Sequence, residues 1–350
     1  MRKYNIAILF GGCSPEYGVS LASAYAVLMH MNRSRFVPVM IGISREGDWF
    51  CFRGEVEKIR EDGWCNEADC IPAVLSPCRK KKGILLLKKE KTEFVAIDAA
   101  FPVLHGQNGE DGTVQGMIEL AGIPLAGCNT LASALCMDKD RAHRLASAAG
   151  VRVPKSIVLR QENPYAKARA FAGTNGYPLF VKPVKAGSSY GVTKVVLKEQ
   201  LADALATAFQ YDDAVIVEEA IEGFEVGCAI LGTDRLIAGE VDEIELSGGF
   251  FDFTEKYTLK TSAIHVPARI DGRKASEIKE TAKRIYEALG CSVFARVDLF
   301  LTPKGEIVFN EINTIPGFTE HSRYPGMMKA AGYSLEEVIT KILELTLGER

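Results

Sequence analysis

Four side chains on two short apolar runs bear most directly on chemistry. The runs are Ala295-Arg296-Val297-Asp298-Leu299-Phe300 and Ile307-Val308-Phe309-Asn310-Glu311-Ile312-Asn313, joined by Thr302-Pro303-Lys304-Gly305. Two apolar segments across a Pro/Gly turn read as a hairpin. Side chains alternate along a strand, so Arg296 shares a face with Asp298, and Glu311 with Asn313. If those faces coincide, two carboxylates, an amide oxygen and a guanidinium converge among apolar strands, where unpaired charge is costly. Oxygen donors without sulfur suit Mg²⁺ completed by water and phosphate oxygens. A structural salt bridge from Arg296 to Asp298 or Glu311 would satisfy the same charges, and both readings stay open at this level.

A second group lies in Lys182-Pro183-Val184-Lys185-Ala186-Gly187-Ser188-Ser189-Tyr190-Gly191. Small residues let backbone N–H groups approach an anion, and the two hydroxyls add donors. A plain flexible turn has the same composition. Lys182 at the end of a strand, with Lys139 at the head of a preceding helix, tilts the reading toward phosphates. The loop is not a Walker A string, and no GxGxxG follows the first strand, which disfavours a nicotinamide enzyme. Val215-Ile216-Val217-Glu218-Glu219-Ala220, followed by Glu225, is an apolar strand running into acids. It could offer amides to an adenine and a carboxylate to ribose hydroxyls, or simply end in solvated acids.

The elements that must position these groups fit ordinary globular composition. The chain has 350 residues, 47% hydrophobic and 25% charged, with 42 basic against 45 acidic residues for a net charge of −3. At about 150 residues per domain this implies two to three domains. The charge balance calls for neither nucleic acid nor an anionic membrane as partner. No apolar run approaches the roughly 18 to 20 residues that span a bilayer. The apolar stretch Ile6 to Phe10 stops at Gly11-Gly12, short of a secretory core. A cytoplasmic protein is expected. Nine scattered cysteines without CxxC spacing predict reduced, mostly buried thiols and no zinc site.

Over about the first 125 residues, strand-like and helix-like segments alternate, which predicts a parallel α/β sheet. Strands are expected at Asn5–Phe10, Val37–Ile43, Asp48–Phe52 and Ala96–Leu104, with helices at Val19–Met31 and Thr113–Ala121. The basic run Arg79–Lys82 reads as a solvated turn. A second block opens near Leu131, with a helix at Asp138–Ala149 and strands at Ser156–Leu159, Leu179–Lys182, Thr193–Leu197 and Ala214–Glu218. A third holds strands at Glu225–Leu231 and Leu236–Glu243, a Gly- and aromatic-rich loop at Ser247–Lys260, and helices at Ala275–Leu289 and Leu335–Leu347. The class is α/β followed by α+β.

In order, these segments resemble the D-alanine–D-alanine ligase family of the ATP-grasp superfamily over nearly the whole chain. The resemblance rests on Phe10 to Ser20, His105-Gly106 with Gly109-Glu110-Asp111-Gly112, Met137-Asp138-Lys139 and Val181-Lys182-Pro183 with Gly187-Ser188-Ser189. It continues through Glu255-Lys256-Tyr257, Arg296-Val297-Asp298 and Asn310 to Gly317. It implies an ATP-grasp fold with an amino-terminal Rossmann-like parallel-sheet domain: domains at 1–127, 128–217 and 218–350, and a lid loop at 247–260. ATP would contact Lys139, Lys182, Gly187, Ser188, Ser189 and Lys256, with Glu218, Glu219, Ala220 and Ile221 along the adenine and Glu225 on the ribose. Asp298, Glu311 and Asn313 would hold two Mg²⁺, or Mn²⁺ in their place. The carboxylate of a first D-alanine would attack the γ-phosphate, and a second substrate's amine would attack the resulting acyl phosphate. Arg296 and the Gly317 amide would face the oxyanion. Glu16 would take the first ammonium, with Val19, His105 and Ser188 nearby and Tyr257 closing the site. Family members are usually homodimers through the first block.

For the second substrate, Tyr257 resembles dipeptide-forming members, whereas those using D-lactate carry a different loop with a His. Arg323 beside Ser322, together with Tyr257, resembles the D-alanine–D-serine ligases, and the chain most resembles the vancomycin-resistance G type. A polar residue there can engage a serine hydroxyl, and a site built for that hydroxyl penalises alanine. Asp242 and Phe251 are the expected neighbours. Glu320, where Ser is common, departs from the pattern. The expectation is a D-alanine–D-serine ligase for peptidoglycan precursors, the alternative a D-alanine–D-alanine ligase of ordinary cell-wall synthesis. A nucleotide-binding regulator without catalysis is disfavoured by the complete set Arg296, Asp298, Glu311 and Asn313.

Overall fold

The computed structural model describes residues 3–187, 189–246 and 262–349. The first strand, β1 (Tyr4–Gly11), is buried beyond its first two residues and stops at Gly11-Gly12, both at positive φ. A side chain at Gly11 would run into the Ile43 carbonyl, so the turn into α1 (Tyr17–His30) requires glycine there. Strands β2 (Phe36–Ile43), β3 (Trp49–Phe52), β4 (Cys70–Leu75), β5 (Gly83–Leu87), β6 (Thr92–Ala96) and β7 (Ala99–Pro102) follow, with α2 (Glu57–Arg60) and α3 (Thr113–Leu120). They form one sheet in the order β6-β5-β4-β3-β2-β1-β7.

The expected parallel sheet is present at its centre and is extended by antiparallel strands. Only β2-β1-β7 is parallel; β3 to β6 add on antiparallel. Three of the four links (44–48, 76–82 and 88–91) are shorter than the dozen residues a parallel crossover needs. Arg79–Lys82 forms the exposed turn between β4 and β5, as expected.

Next come α4 (Thr130–Met137) and α5 (Lys139–Ala148), capped by Asn129 and Asp138, whose side chains accept from the Ala132 and Arg141 amides. The Asp138 cap places Lys139 in the first turn of α5. An antiparallel sheet in the order β10-β9-β11-β8 holds β8 (Ser156–Leu159), β9 (Leu179–Pro183), β10 (Thr193–Val195) and β11 (Val215–Glu219), with α6 (Pro164–Asn175) and α7 (Leu201–Ala208). The last sheet, ordered β15-β14-β12-β16-β17, comprises β12 (Phe224–Gly232), β14 (Asp242–Leu246), β15 (Ser262–His265), β16 (Val293–Leu301) and β17 (Ile307–Asn313). The short β13 (Ile237–Ala238) pairs only with β12. Helices α8 (Gly272–Ala288), α9 (Arg323–Ala330) and α10 (Leu335–Leu347) complete the fold.

The strand expected over Leu236–Glu243 is two strands. At Gly239-Glu240 the backbone leaves β12, and the Glu240 amide donates to the Met327 carbonyl of α9 at 3.0 Å. Helices α4 and α9 and strands β4 and β6 had no expected counterpart. All nine thiols are free, but only Cys51, Cys128, Cys136 and Cys228 are buried, fewer than expected.

One core matters for the site. Phe101 of β7, Phe294 of β16, Phe318 and Tyr324 are fully buried, with ring centroids 5.5 to 5.9 Å apart. Such pairs contribute about 0.5 to 1.5 kcal/mol each beyond burial. They join the first sheet to the last, so the start of α1 and the loop after β7 face the β16–β17 hairpin. Among the described residues no helix is long and apolar enough to cross a membrane.

Candidate functional site

The hairpin forms as the alternation predicts. Its register sets Arg296 opposite Asn313 and Asp298 opposite Glu311, and these side chains converge. Asp298, 1% exposed, accepts from Arg296 Nε at 2.8 Å and Nη2 at 2.6 Å and from Asn313 Nδ2 at 2.9 Å; Arg323 Nη1 lies 3.3 Å from its Oδ1. The structural salt bridge and the converging donor set therefore coexist. The register shifts after Asp298, so Leu299 faces Phe309 and Asn310 is the extra residue of a bulge. His143 of α5 donates from Nε2 to the Asn310 carbonyl at 2.8 Å, next to Glu311.

The donors fit a hard divalent cation: two carboxylates and an amide oxygen, without sulfur or imidazole. Among the described residues no cluster of three or more His, Cys, Asp or Glu is gathered for a metal. A cation here would therefore also depend on Asn313 and on oxygens from water or ligand. It would replace the contacts that Asp298 now makes with Arg296, Arg323 and Asn313.

Two cavities meet at this hairpin. One, of about 400 Å³, is lined by Phe180, Lys182, Ser189, Glu218 to Ile221, Glu225 and Phe300. Lys182 and Phe180 share a face of β9, and β11 brings Glu218 opposite Phe180. Lys182 Nζ donates to Glu218 Oε1, while Glu218 Oε2 is buried without a hydrogen-bond partner among the described residues. A bound group with an N–H donor would satisfy that oxygen. The Glu219 and Ala220 amides already donate to the Lys155 and Pro178 carbonyls, leaving Ile221 as the next amide along the wall. Aromatic walls, a lysine and an unmet acceptor fit an adenine nucleotide.

The other cavity, of about 540 Å³, is lined by Glu16, Val19, His105, Glu110, Gly187, Arg296, Gly317, Ser322 and Arg323. Lys139, Ala186 and Glu311 line both. Lys139 Nζ donates to the Ala186 carbonyl at 2.8 Å and lies 3.8 Å from Glu311 Oε2. His105 donates from Nδ1 to the Ile315 carbonyl at 2.9 Å, and its Nε2 meets Ser23 Oγ at 3.2 Å. Burial pushes His105 down to about 4, so the ring is neutral near pH 7 and holds the segment leading to Gly317.

Arg323 is more committed than the sequence suggests. It donates from Nε and Nη2 to Asp242 at 2.7 and 2.8 Å and from Nη1 to Glu225 at 2.6 Å, besides its approach to Asp298. The residue expected on the second substrate thus ties that wall to the expected ribose and metal ligands. Asp242, its partner, is fully buried behind it. Ser188, Phe251, Lys256 and Tyr257 lie outside the described residues, as does the whole 247–260 loop. Sequence reasoning missed Phe180 and Phe300, although each sits one turn of the strand alternation from a residue it singled out. It also gave no role to Glu110 or His143.

Two family models cover most of the chain: residues 5–128 match the one described as D-ala D-ala ligase N-terminus, and residues 145–344 match D-ala D-ala ligase C-terminus. The crystal structure described as VanG D-Ala:D-Ser ligase from Enterococcus faecalis is 55% identical, with a TM-score of 0.92, covering 99% of this chain and 100% of that one. The vancomycin B-type resistance protein VanB of Enterococcus faecalis is 45% identical over 99% of both chains. A D-alanine–D-alanine ligase of Caldicellulosiruptor bescii is 39% identical, over 99% of this chain and 96% of its own.

Proposed function

Because the chain belongs to the D-alanine–D-alanine ligase family of ATP-dependent ligases that make a peptide bond, we propose that it joins D-alanine to D-serine. The product would be a peptidoglycan precursor, made in the cytoplasm, that supports vancomycin resistance. The observation that carries the reading is the meeting of the two cavities at Glu311, Lys139 and Ala186, beside Asp298 and Asn313. A nucleotide's terminal phosphate in one cavity and an amino acid's carboxylate in the other would come together there.

Lys139 and Lys182 would hold the phosphates, with Gly187, Ser188, Ser189 and Lys256 closing over them. Phe180 and Phe300 would flank the adenine, Glu218 Oε2 would accept from its amino group, and Glu225 would take the ribose. Asp298, Glu311 and Asn313 would hold two Mg²⁺, or Mn²⁺ in their place. Bound there, the metal supplies charge neutralisation to the transferring phosphoryl group. Glu16 would orient the first D-alanine by its ammonium, with Val19 and His105 behind it. Arg296 and the Gly317 amide would oppose the oxyanion that forms when the second amine attacks. Tyr257 in the 247–260 lid would exclude water from the acyl phosphate.

Support for D-serine comes from the 55% identical relative described as a D-Ala:D-Ser ligase and from the polar wall of Arg323 and Ser322, with Asp242 buried behind Arg323; Phe251 would be its further neighbour. We also propose a homodimer through the first block and domains at 1–127, 128–217 and 218–350. Phosphate release by the purified enzyme, with D-alanine plus D-serine against D-alanine alone, tests the reading. Higher catalytic efficiency with D-serine as second substrate is expected. Equal or higher efficiency with D-alanine would leave a D-alanine–D-alanine ligase instead.

A further inference from the structure

Glu110 is a buried carboxyl that the proposed chemistry leaves unused. It sits in the loop between β7 and α3 and lines the same cavity as Glu16. Its Oε2 accepts the Gly106 amide at 2.8 Å, and its Oε1 accepts the Ile315 amide at 3.3 Å. These amides belong to opposite walls. Gly106 is where the Glu16 carboxylate rests, since a Cβ there would run into Glu16 Oε2. Ile315 stands two residues before Gly317, and its carbonyl is held from the same loop by His105. One loop thus grips Ile315 by both its N–H and its C=O.

We propose that Glu110 is a positioning residue for ligation, tying the ammonium-binding wall at Glu16 to the segment that presents the Gly317 amide. This inference rests on the ligase reading and deepens it. Its two amide bonds fix Gly106 against Ile315, and so would fix the ammonium site at Glu16 relative to the Gly317 amide.

The charge environment makes the tie responsive to that substrate. Burial first, and then the Glu16 carboxylate, push Glu110 up to about 8, against the downward pull of the two amides and Arg296. Among the described residues, the charged and titratable groups that act on it or feel it are Glu16 before α1, Arg296 on β16 and Cys136 at the end of α4; the neutral His105 shares its loop. Near pH 7 Glu110 therefore carries a proton when the pocket is empty. A cation arriving at Glu16 favours the ionised form, so binding expels that proton. The sign follows: affinity for the first substrate rises as pH climbs toward 8 and levels off above it.

The test compares wild type with Glu110→Gln, which keeps one acceptor, turns an NH₂ against the other amide and cannot titrate. Wild type should show a KM for the first D-alanine that falls between pH 6 and about 8. Glu110→Gln should lose that pH dependence, and its kcat should drop about tenfold to a hundredfold. An unchanged pH profile in an active Glu110→Gln enzyme would overturn the proposal. Wild type needs no variant for a second measurement. Calorimetry of D-alanine binding with ADP and Mg²⁺ present, run at pH 7 in buffers of different ionisation enthalpy, should report release approaching one proton per site. Absence of proton release would also overturn it. Wild type that makes no dipeptide would overturn the ligase reading itself, a distinguishable failure.

Discussion

Replacing Arg323 with methionine isolates the charge cluster on which the second-substrate wall rests. The guanidinium is 8% exposed and serves Asp242, itself 0% exposed, through two hydrogen bonds, with Glu225 and Asp298 on its third nitrogen. Methionine keeps much of the volume but removes the cation that Asp242 and Glu225 share, while Asp298 keeps Arg296. Removing one partner of a buried pair costs roughly 3 to 5 kcal/mol. At about 2.1 cal/mol/K of unfolding entropy per residue, a chain of 350 residues shifts by roughly 1.4 °C per kcal/mol, so the melting temperature should fall by roughly 4 to 7 °C. The assay is thermal unfolding of the ligand-free protein beside the double variant Arg323→Met/Asp242→Asn. Neutralising Asp242 removes the worst of the stranded charge, so the double variant should melt above the Arg323→Met single variant. A single variant melting within about 2 °C of wild type, or two strictly additive effects, would refute the reasoning.

Two other perturbations follow. His105 sits at about 4 in the folded protein against an ordinary 6.5, so the unfolded chain binds more protons between those values. The stability it contributes is present above pH 6.5 and lost as pH falls toward 4, by roughly 3 kcal/mol for a shift of about 2.5. His105→Gln should flatten that acid limb in chemical denaturation; an unaltered limb would contradict the buried neutral ring. Glu110 acts oppositely, favouring the fold less as pH rises from 4.5 toward 8, and it is common to both proteins in that comparison. His143→Leu removes the N–H that holds the Asn310 bulge beside Glu311. It should raise the Mg²⁺ concentration needed for half-maximal turnover about tenfold, with recovery in His143→Gln, which retains a donor.

What could be read from the residues was mostly local. The β16–β17 hairpin was legible because charged and apolar residues alternate across a Pro/Gly turn, and that periodicity also states which side chains share a face. The antiparallel extension of the first sheet was not, because β3 to β6 carry no mark of which neighbour they pair with beyond link length. Arg323 was legible as a polar site residue, but its partners lie 81 and 98 positions away on other strands, and no spacing rule connects them. Helix α9 had no sequence counterpart because Pro-Gly is ordinarily a turn dipeptide; here Pro325 falls in the first helical turn, where a missing N–H costs nothing. Glu110 stood within a quoted motif, yet its role depends on Ile315, 205 residues on.

The central claim is that Asp298, Glu311 and Asn313 hold a divalent cation over terminal phosphates where two cavities meet. Binding of Mn²⁺ in the presence of ADP, followed by the electron paramagnetic resonance of the free ion, tests it most directly on wild type and Glu311→Gln. The account predicts nucleotide-dependent Mn²⁺ binding by wild type, its loss in Glu311→Gln, and no phosphate release from that folded variant. Equal Mn²⁺ binding and undiminished turnover in Glu311→Gln would contradict it.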